Sequence, residues 1–471
     1  MIPRLTPDRS APALLVAACL LLDGCARAPV PRGSPSPTAA ARETARRALG
    51  REVRESLRRE DLAAWYPRAV DHQSGGFLSQ FEADWTPSGA QDKMIVTQAR
   101  HVWMNARAAQ LFHEDTTYRA SAAQGYHFLR DRMWDREAGG FFWLVTRDGR
   151  PKPELGGRFV KQAYGNAFGI YALAAYYDVT RDSSALALAR DAFQWLDAHA
   201  HDPVHGGYFN YLERDGTPLR AGLGRDTPKD QNSSIHILEA FTELYRVWPD
   251  PVLRDRLAEM LHLIRDVIVV APGTLTLFST EDWRPVSYRD SSESVRQSDR
   301  YYHDHVSFGH DVETAYLMLE AAEALGSAGD SATRRVGKQM LDHALRTGWD
   351  SIAGGFYDAG YYHRGPSAGP ITIVQDTKNW WAQAEGLNTL LVYADMYPDD
   401  PMRYYERFLQ QWAYIKSNLI DHERGGWYQG GLDKEPASRN AQKGQIWKAM
   451  YHDGRAMMNV SRRLLGEGSK R

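Results

Sequence analysis

A seven-residue pattern, Asp-x-x-x-Gly-Gly-aromatic, returns five times along this chain, at Asp71 to Phe77, Asp135 to Phe141, Asp202 to Tyr208, Asp350 to Phe356 and Asp421 to Trp427. The steps between the aspartates are 64, 67, 148 and 71, and 148 is twice 74, so a degenerate sixth copy is expected near Gly273. Repetition at a near-fixed period means that one supersecondary unit is stacked several times, each too small to bury its apolar face alone. Paired glycines permit the positive φ of a tight turn, and an aspartate can accept hydrogen bonds from the amides just ahead of it. Each copy therefore reads as a connecting loop or short hairpin.

Between these loops run segments with apolar residues at i, i+3, i+4 and i+7. They predict helices over about 38–64, 95–112, 118–134, 163–179, 183–198, 232–247, 252–270, 306–325, 332–346, 378–397, 402–419 and 446–465. Twelve helices in six antiparallel hairpins close into a toroid with an inner and an outer ring, an all-α (α/α)6 barrel. The 471 residues, 43% hydrophobic and 25% charged, are then read as a single catalytic domain over 38–471 behind a leader. The 57 basic and 59 acidic side chains nearly cancel, which leaves no electrostatic footprint for nucleic acid.

Arg4 and Arg9 precede an apolar run from Ala11 to Leu22, too short for a permanent bilayer span, so residues 1–24 read as an export signal. Leu22-Asp23-Gly24-Cys25 resembles a bacterial lipobox, which makes Cys25 the expected lipidation site. The product is expected at the bacterial envelope, meeting membrane through that anchor. Residues 25–37, rich in proline and small side chains, read as a flexible tether. Cys19 and Cys25 are the two cysteines, so the body has neither a disulfide nor a thiolate metal site.

The second helix of each unit carries polar or aromatic residues in an otherwise apolar pattern, which marks it as inner. One from each gives Arg100, Tyr164, His236, His310, Trp381 and His452, at steps of 64, 72, 74, 71 and 71. Such positions converge at one end of a barrel, where a pocket with convergent polar groups is expected. In Ser307-Phe308-Gly309-His310-Asp311-Val312-Glu313, Ser307 suits a helix cap, and Glu313 shares a face with His310 and is expected to orient its ring. Asn232 and His236 lie four apart, as do Trp381 and Glu385, and Trp447 precedes His452 by five. His303, Asp304 and His305 invite a metal-site reading, but no cysteine or third-ligand spacing accompanies them, and no metal is expected. Taken singly, each signal is accounted for by solvated helix starts or core packing. Their recurrence once per unit favours a site.

The strings GHDVE, WWAQAE and WKAMYHDGR, in that order, resemble the N-acylglucosamine 2-epimerase superfamily, and within it most of all the cellobiose 2-epimerases. The resemblance runs from Thr97 to Arg455. It implies an (α/α)6 barrel in which His310 and His452 are the acid/base pair. It also implies that Arg100, Tyr164, Asn232, His236, Glu313, Trp381, Glu385 and Trp447 line the pocket of a mono- or disaccharide. The residue types suit the chemistry. The hydrogen on C2 of an open-chain aldose is acidified by the neighbouring carbonyl, and inverting C2 needs a base on one face of the enediolate and an acid on the other. Imidazoles, titrating near about pH 6.5, can serve as either. Arg100 can hold the developing oxyanion, an effect on the order of 3 kcal/mol in comparable sites. Trp381 and Trp447 would stack on sugar rings, and His236 would help open the pyranose as a third catalytic imidazole. No metal or redox cofactor is required. Returning the proton to C1 would give an aldose–ketose isomerase instead. A glycoside hydrolase or lyase on the same fold would use Glu313 and Glu385 as its carboxylate pair, and a noncatalytic carbohydrate-binding lipoprotein is the third alternative.

Overall fold

The computed structural model describes residues 39–467, apart from 155–156, 223–226, 293, 295–302, 366 and 368. The export signal, the tether and Cys25 lie outside the described residues. The chain divides into two compact units, Met1–Ala45 and Arg46–Arg471. The described part of the first is the opening of a helix, in which the Thr44 hydroxyl bonds the Ala40 carbonyl.

Twelve long helices are found among the described residues: α1 (Ala39–Ser56), α2 (Ile95–Leu111), α3 (Thr116–Phe128), α4 (Ala163–Thr180), α5 (Ser183–Ala200), α6 (Gln231–Val247), α7 (Pro251–Leu263), α8 (Phe308–Ala324), α9 (Ser331–Thr347), α10 (Trp380–Met396), α11 (Tyr404–Asn418) and α12 (His452–Leu465). Helices α2 to α11 follow the periodicity, with α3 and α7 ending short of the expected Trp134 and Val270, while α12 starts at His452 rather than near Ile446. Residues 446–451 form an irregular turn in which the Gln445 side chain accepts from the Trp447 amide. None of these helices is long and apolar enough to cross a membrane.

In the second unit α2 packs on α4, α4 on α6, α6 on α8, α8 on α10 and α10 on α12, which makes the inner ring. Each of the first five also packs on the helix that follows it in sequence, and α12 packs on the π-type turn Leu57–Leu62 that continues α1. The difference in surroundings follows from sequence. From Ala163 to Tyr176 α4 is buried around its whole circumference, whereas α5 buries one stripe and leaves the other face in water. Outer helices α3, α5, α7 and α9 each begin at an aspartate, Asp115, Asp182, Asp250 and Asp330, whose side chain accepts from an amide in the first turn.

Each Asp-Gly-Gly loop is a one-bridge hairpin, with Phe77, Phe141, Tyr208, Phe356 and Trp427 paired antiparallel to Val70, Trp134, His201, Trp349 and Ile420. Gly75 and Gly76 adopt φ of +81° and +65°, a region costly for a residue with a Cβ. The aspartate accepts from amides two and three residues ahead, as Asp350 does from Ile352 and Ala353. Its other oxygen meets a buried lysine that the periodicity alone does not reveal. Lys93 bonds Asp71, Lys161 Asp135, Lys229 Asp202, Lys378 Asp350 and Lys443 Asp421, at 2.9, 3.0, 2.7, 2.8 and 2.5 Å.

The degenerate copy is at Gly273, where Val269–Val270 pairs with Thr274–Leu275. There Val270 stands where the aspartate would be, and Val306, two residues ahead of α8, stands where the lysine would be. Losing both members of a buried ion pair costs far less than losing one, which explains why they vanish together.

Short strands, unforeseen from the helical pattern, lie ahead of the inner helices and tie neighbouring repeats at the rim. Lys93–Met94 pairs with Leu144–Val145, Val160–Gln162 with Tyr211–Glu213, and Lys229–Asp230 with Phe278–Ser279, all antiparallel. Val306–Ser307 joins Ala359–Tyr361 and Thr372–Gln375 in a three-stranded sheet. These ladders fix where each inner helix begins, and so fix the side chains of its first two turns.

Candidate active site

The first two turns of the inner helices and the irregular turn ahead of α12 carry the ten expected pocket residues, which Tyr451 links into one chain of contacts by packing on both Arg100 and His452. Arg100 donates to the Tyr164 hydroxyl at 3.2 Å and to the carbonyl of Trp447 at 3.0 Å. Its guanidinium lies over the rings of Phe168 and Tyr451. Asn232 lies beside Tyr164, whose ring stands edge-on to His236 with centroids 5.3 Å apart. The Trp381 ring packs against two imidazoles, with centroids 4.6 Å from His310 and 5.8 Å from His452. Trp447 is 46% exposed and tilts over Trp143 at 5.8 Å, which leaves an aromatic face open to solvent.

Each histidine has its own Nδ1 partner, and the three partners differ. His452 Nδ1 meets Glu385 Oε1 at 2.5 Å, His236 Nδ1 meets Glu239 Oε2 at 2.8 Å, and His310 Nδ1 meets the Ser307 hydroxyl at 2.8 Å. An ionised carboxylate only accepts, so it fixes the proton on Nδ1 and leaves Nε2 with a lone pair, whereas a serine hydroxyl can donate or accept. Burial holds all three imidazoles below their ordinary range. For His310 burial, reinforced by His236, His305 and His452, brings the value down to about 3. For His452 burial is followed by the positive charges of Arg100 and Arg455, and for His236 burial outweighs the bond to Glu239.

Three expectations are corrected. Glu313 does not orient His310. Its Oε1 accepts from Arg455 at 2.6 Å and lies 3.8 Å from His452 Nδ1, because the buried guanidinium offers it a charge that an imidazole does not. Ser307 does not cap α8 with its side chain, since the hydroxyl is engaged by His310. Glu313 and Glu385 do not flank a space for a glycosidic bond. Both are fully buried, both accept from the same Arg455 nitrogen, and one oxygen of each lies within 4.8 Å of the other, so a guanidinium occupies the position against both carboxylates that a scissile bond would need.

The same two carboxylates and His452 are spaced as metal ligands are, but the positive charge among them is the guanidinium of Arg455. His303, Asp304 and His305 have separate surroundings. Asp304 accepts from Ser287, the Tyr288 amide and Tyr361, and the His303 ring packs on Phe278.

Glu239, Arg455, Tyr451 and Tyr316 escaped the sequence reading. Arg455 donates to Glu239, Glu313 and Glu385, which come from α6, α8 and α10, and to the Tyr451 hydroxyl. Tyr451 bonds Glu239 at 2.6 Å, and Tyr316 bonds Glu385 at 2.7 Å. A usable signal existed, because Glu239 follows His236 by three, the spacing that drew attention to Glu313. Burial opposes the charge on Glu239, yet Arg455 and His236 hold it at about 2. Burial and the neighbouring Glu385 push Glu313 up to about 8.

The sequence profile described as N-acylglucosamine 2-epimerase (GlcNAc 2-epimerase) matches residues 75–456. The cellobiose 2-epimerase of Bacteroides fragilis is 28% identical over 430 residues, 89% of this chain and 99% of its own. The D-mannose isomerase of Thermobifida fusca is 25% identical over 384 residues, 79% of this chain and 84% of its own. The solved cellobiose 2-epimerase from Spirochaeta thermophila superposes with a TM-score of 0.78 at 30% identity, covering 91% of this chain and 99% of that one.

Proposed function

The chain belongs to the N-acylglucosamine 2-epimerase family, and on that premise we infer that it is a sugar 2-epimerase inverting C2 of a reducing-end aldose through an enediolate. The observation that carries this is that His310 and His452, from α8 and α12, both pack on the Trp381 ring while their Nδ1 partners differ in kind. With Glu385 as acceptor, His452 presents a bare Nε2 and is the base. It takes the proton of C2, and the bonding pair moves into the enediolate, whose oxygen Arg100 holds. His310 Nδ1 can accept a hydrogen bond from the Ser307 hydroxyl, which keeps the ring proton on Nε2; that proton passes to the other face of C2 as the enediolate collapses to the aldehyde, and proton exchange with solvent returns His310 and His452 to their starting forms. His236, also with a bare Nε2, serves ring opening by accepting the anomeric hydroxyl proton as the C1–O5 bond breaks and returning it to the freed O5. Trp447 and Trp381 offer rings for stacking to a mono- or disaccharide.

A second outcome uses the same residues. If His452 returns its own proton to C1, the product is a ketose, and the T. fusca relative acts as a D-mannose isomerase. Proton NMR in deuterated water with cellobiose and with mannose separates the readings. Deuterium at C2 with an aldose product marks epimerisation, a ketose marks isomerisation, released monosaccharide marks hydrolysis, and no change marks binding alone. His310→Ala and His452→Ala are each expected to abolish exchange in a folded protein, and a fully active double variant would end the proposal.

The reading of residues 1–24 as an export signal and of Cys25 as lipidated is likewise our proposal, supported by the charge and hydropathy pattern of that segment. It would place the enzyme at the bacterial envelope.

A further inference from the structure

One cation serves two of the three histidines. Arg455 is 2% exposed, and its guanidinium bridges Glu239, the partner of His236, and Glu385, the partner of His452. It also bonds Glu313, which lies 3.8 Å from His452 Nδ1 and makes no bond to either of the other imidazoles. Three carboxylates on one guanidinium cannot all remain ionised in a buried space, so a proton must reside on one of them. Which one decides the chemistry. A protonated Glu239 or Glu385 would present O–H to its histidine, force the imidazole proton to Nε2, and remove the lone pair that faces the sugar. A protonated Glu313 costs nothing of the kind, because its Oε2 has no hydrogen-bond partner.

We propose that Arg455 is a positioning residue which keeps Glu239 and Glu385 ionised together and leaves the shared proton to Glu313, so that His236 and His452 are both held as Nδ1–H tautomers with Nε2 bare. The geometry divides the labour. One terminal nitrogen of Arg455 meets Glu239 and the Tyr451 hydroxyl, which itself donates to Glu239. The other meets Glu313 and Glu385, and Glu385 receives a further hydrogen bond from Tyr316 that Glu313 lacks. Two donors plus an imidazole N–H favour charge on Glu239 and on Glu385, and one donor leaves Glu313 the weakest anion. The remaining charged or titratable neighbours are Arg100 from α2, Tyr164 from α4 and His310 from α8, none of which bonds these carboxylates. The planar fork is required, because an ammonium is a point charge that cannot span three carboxylates.

The proposal rests on the epimerase reading for its kinetic consequences, but its structural core is testable without turnover. Nitrogen-15 NMR of histidine-labelled wild-type protein at neutral pH is expected to find protonated Nδ1 and bare Nε2 at both His236 and His452, and an Nε2–H tautomer at either overturns it. In Arg455→Lys the carboxylates regain protons, so both tautomer populations should shift. kcat for C2 exchange should fall about 10–100-fold with KM little changed, since Arg455 is 2% exposed and its terminal nitrogens are engaged by the three carboxylates and Tyr451. Activity should partly return as pH rises, moving the acid limb of kcat upward by one pH unit or more. Unchanged tautomers, or a lost kcat with the wild-type pH profile, would reduce Arg455 to a structural role. A wild-type enzyme with the expected tautomers but no exchange on any aldose would instead overturn the epimerase reading and leave this proposal standing.

Discussion

Replacing Lys443 by methionine measures what the Asp–Lys pairs contribute to the repeat. Lys443 and Asp421 are each 1% exposed, and Nζ lies 2.5 Å from Oδ2. Methionine fills the space of the aliphatic stem but leaves Asp421 with two backbone amides, of Glu423 and Arg424, and no counter-charge. Removing one partner of a buried ion pair costs about 3–5 kcal/mol. With an unfolding entropy of about 2.1 cal/mol/K per residue, a barrel of this size should lose about 3–6 °C in Tm. Asp421→Val, which strands an ammonium and both amides, should cost at least as much. The double variant imitates the repeat that carries Val270 and Val306, so it should recover about 2–3 kcal/mol of the summed loss. Burial opposes the Asp421 charge, but Lys443 holds its carboxyl below the ordinary range. The stabilisation is therefore present above the unfolded carboxylate value of about 3.9 and is lost as pH falls through the folded one, so the penalty of Lys443→Met should shrink in acid. Calorimetry and urea unfolding at neutral and acid pH supply the numbers. A Lys443→Met loss under about 1 kcal/mol, or a double variant equal to the sum of the singles, would refute the reasoning.

Because burial keeps His236, His310 and His452 neutral below their usual titration range, kcat/KM for C2 exchange should stay level from about pH 8 to 6 and decline only below about 6; a steep loss centred near 6.5 would contradict the site's dryness. Asp61 and Asp453 are fully buried carboxylates, raised by burial, that act on one another. Stability should fall as pH rises from the unfolded carboxylate value towards their folded ones, and Asp61→Asn should flatten that decline in Tm-against-pH scans. Cys25→Ala should abolish a lipid adduct detectable by mass spectrometry of the detergent-phase protein; a wild type without one would remove the anchor.

The barrel was legible because its information is periodic: paired glycines fix turns, and the 3.6-residue spacing fixes helices regardless of what surrounds them. Even the degenerate loop at Gly273 could be placed by arithmetic. The pocket was legible to the extent that inner-helix residues recur once per repeat, which located Arg100, Tyr164, His236, His310, Trp381 and His452 at one rim. What spacing could not supply was partner choice across helices. Glu313 was assigned to His310 on its own helix, whereas the stronger attraction of a guanidinium 142 residues away decides its orientation. Lys93 and its counterparts went unmarked for the same reason, since their aspartates lie 22 to 28 residues earlier and nothing local marks the pair as buried.

The ring has a seam. Phe81 exchanges backbone hydrogen bonds with Lys443 and Gly444, and α12 settles on the turn that ends α1. During synthesis the early repeats therefore wait, apolar flank uncovered, until the last has left the ribosome. Unlike an open solenoid, which gains strength repeat by repeat, such a circle has no partial form with all its neighbours satisfied. His452, the base in our proposal, arrives with that final piece, which would make catalytic competence and closure a single event in the life of the chain.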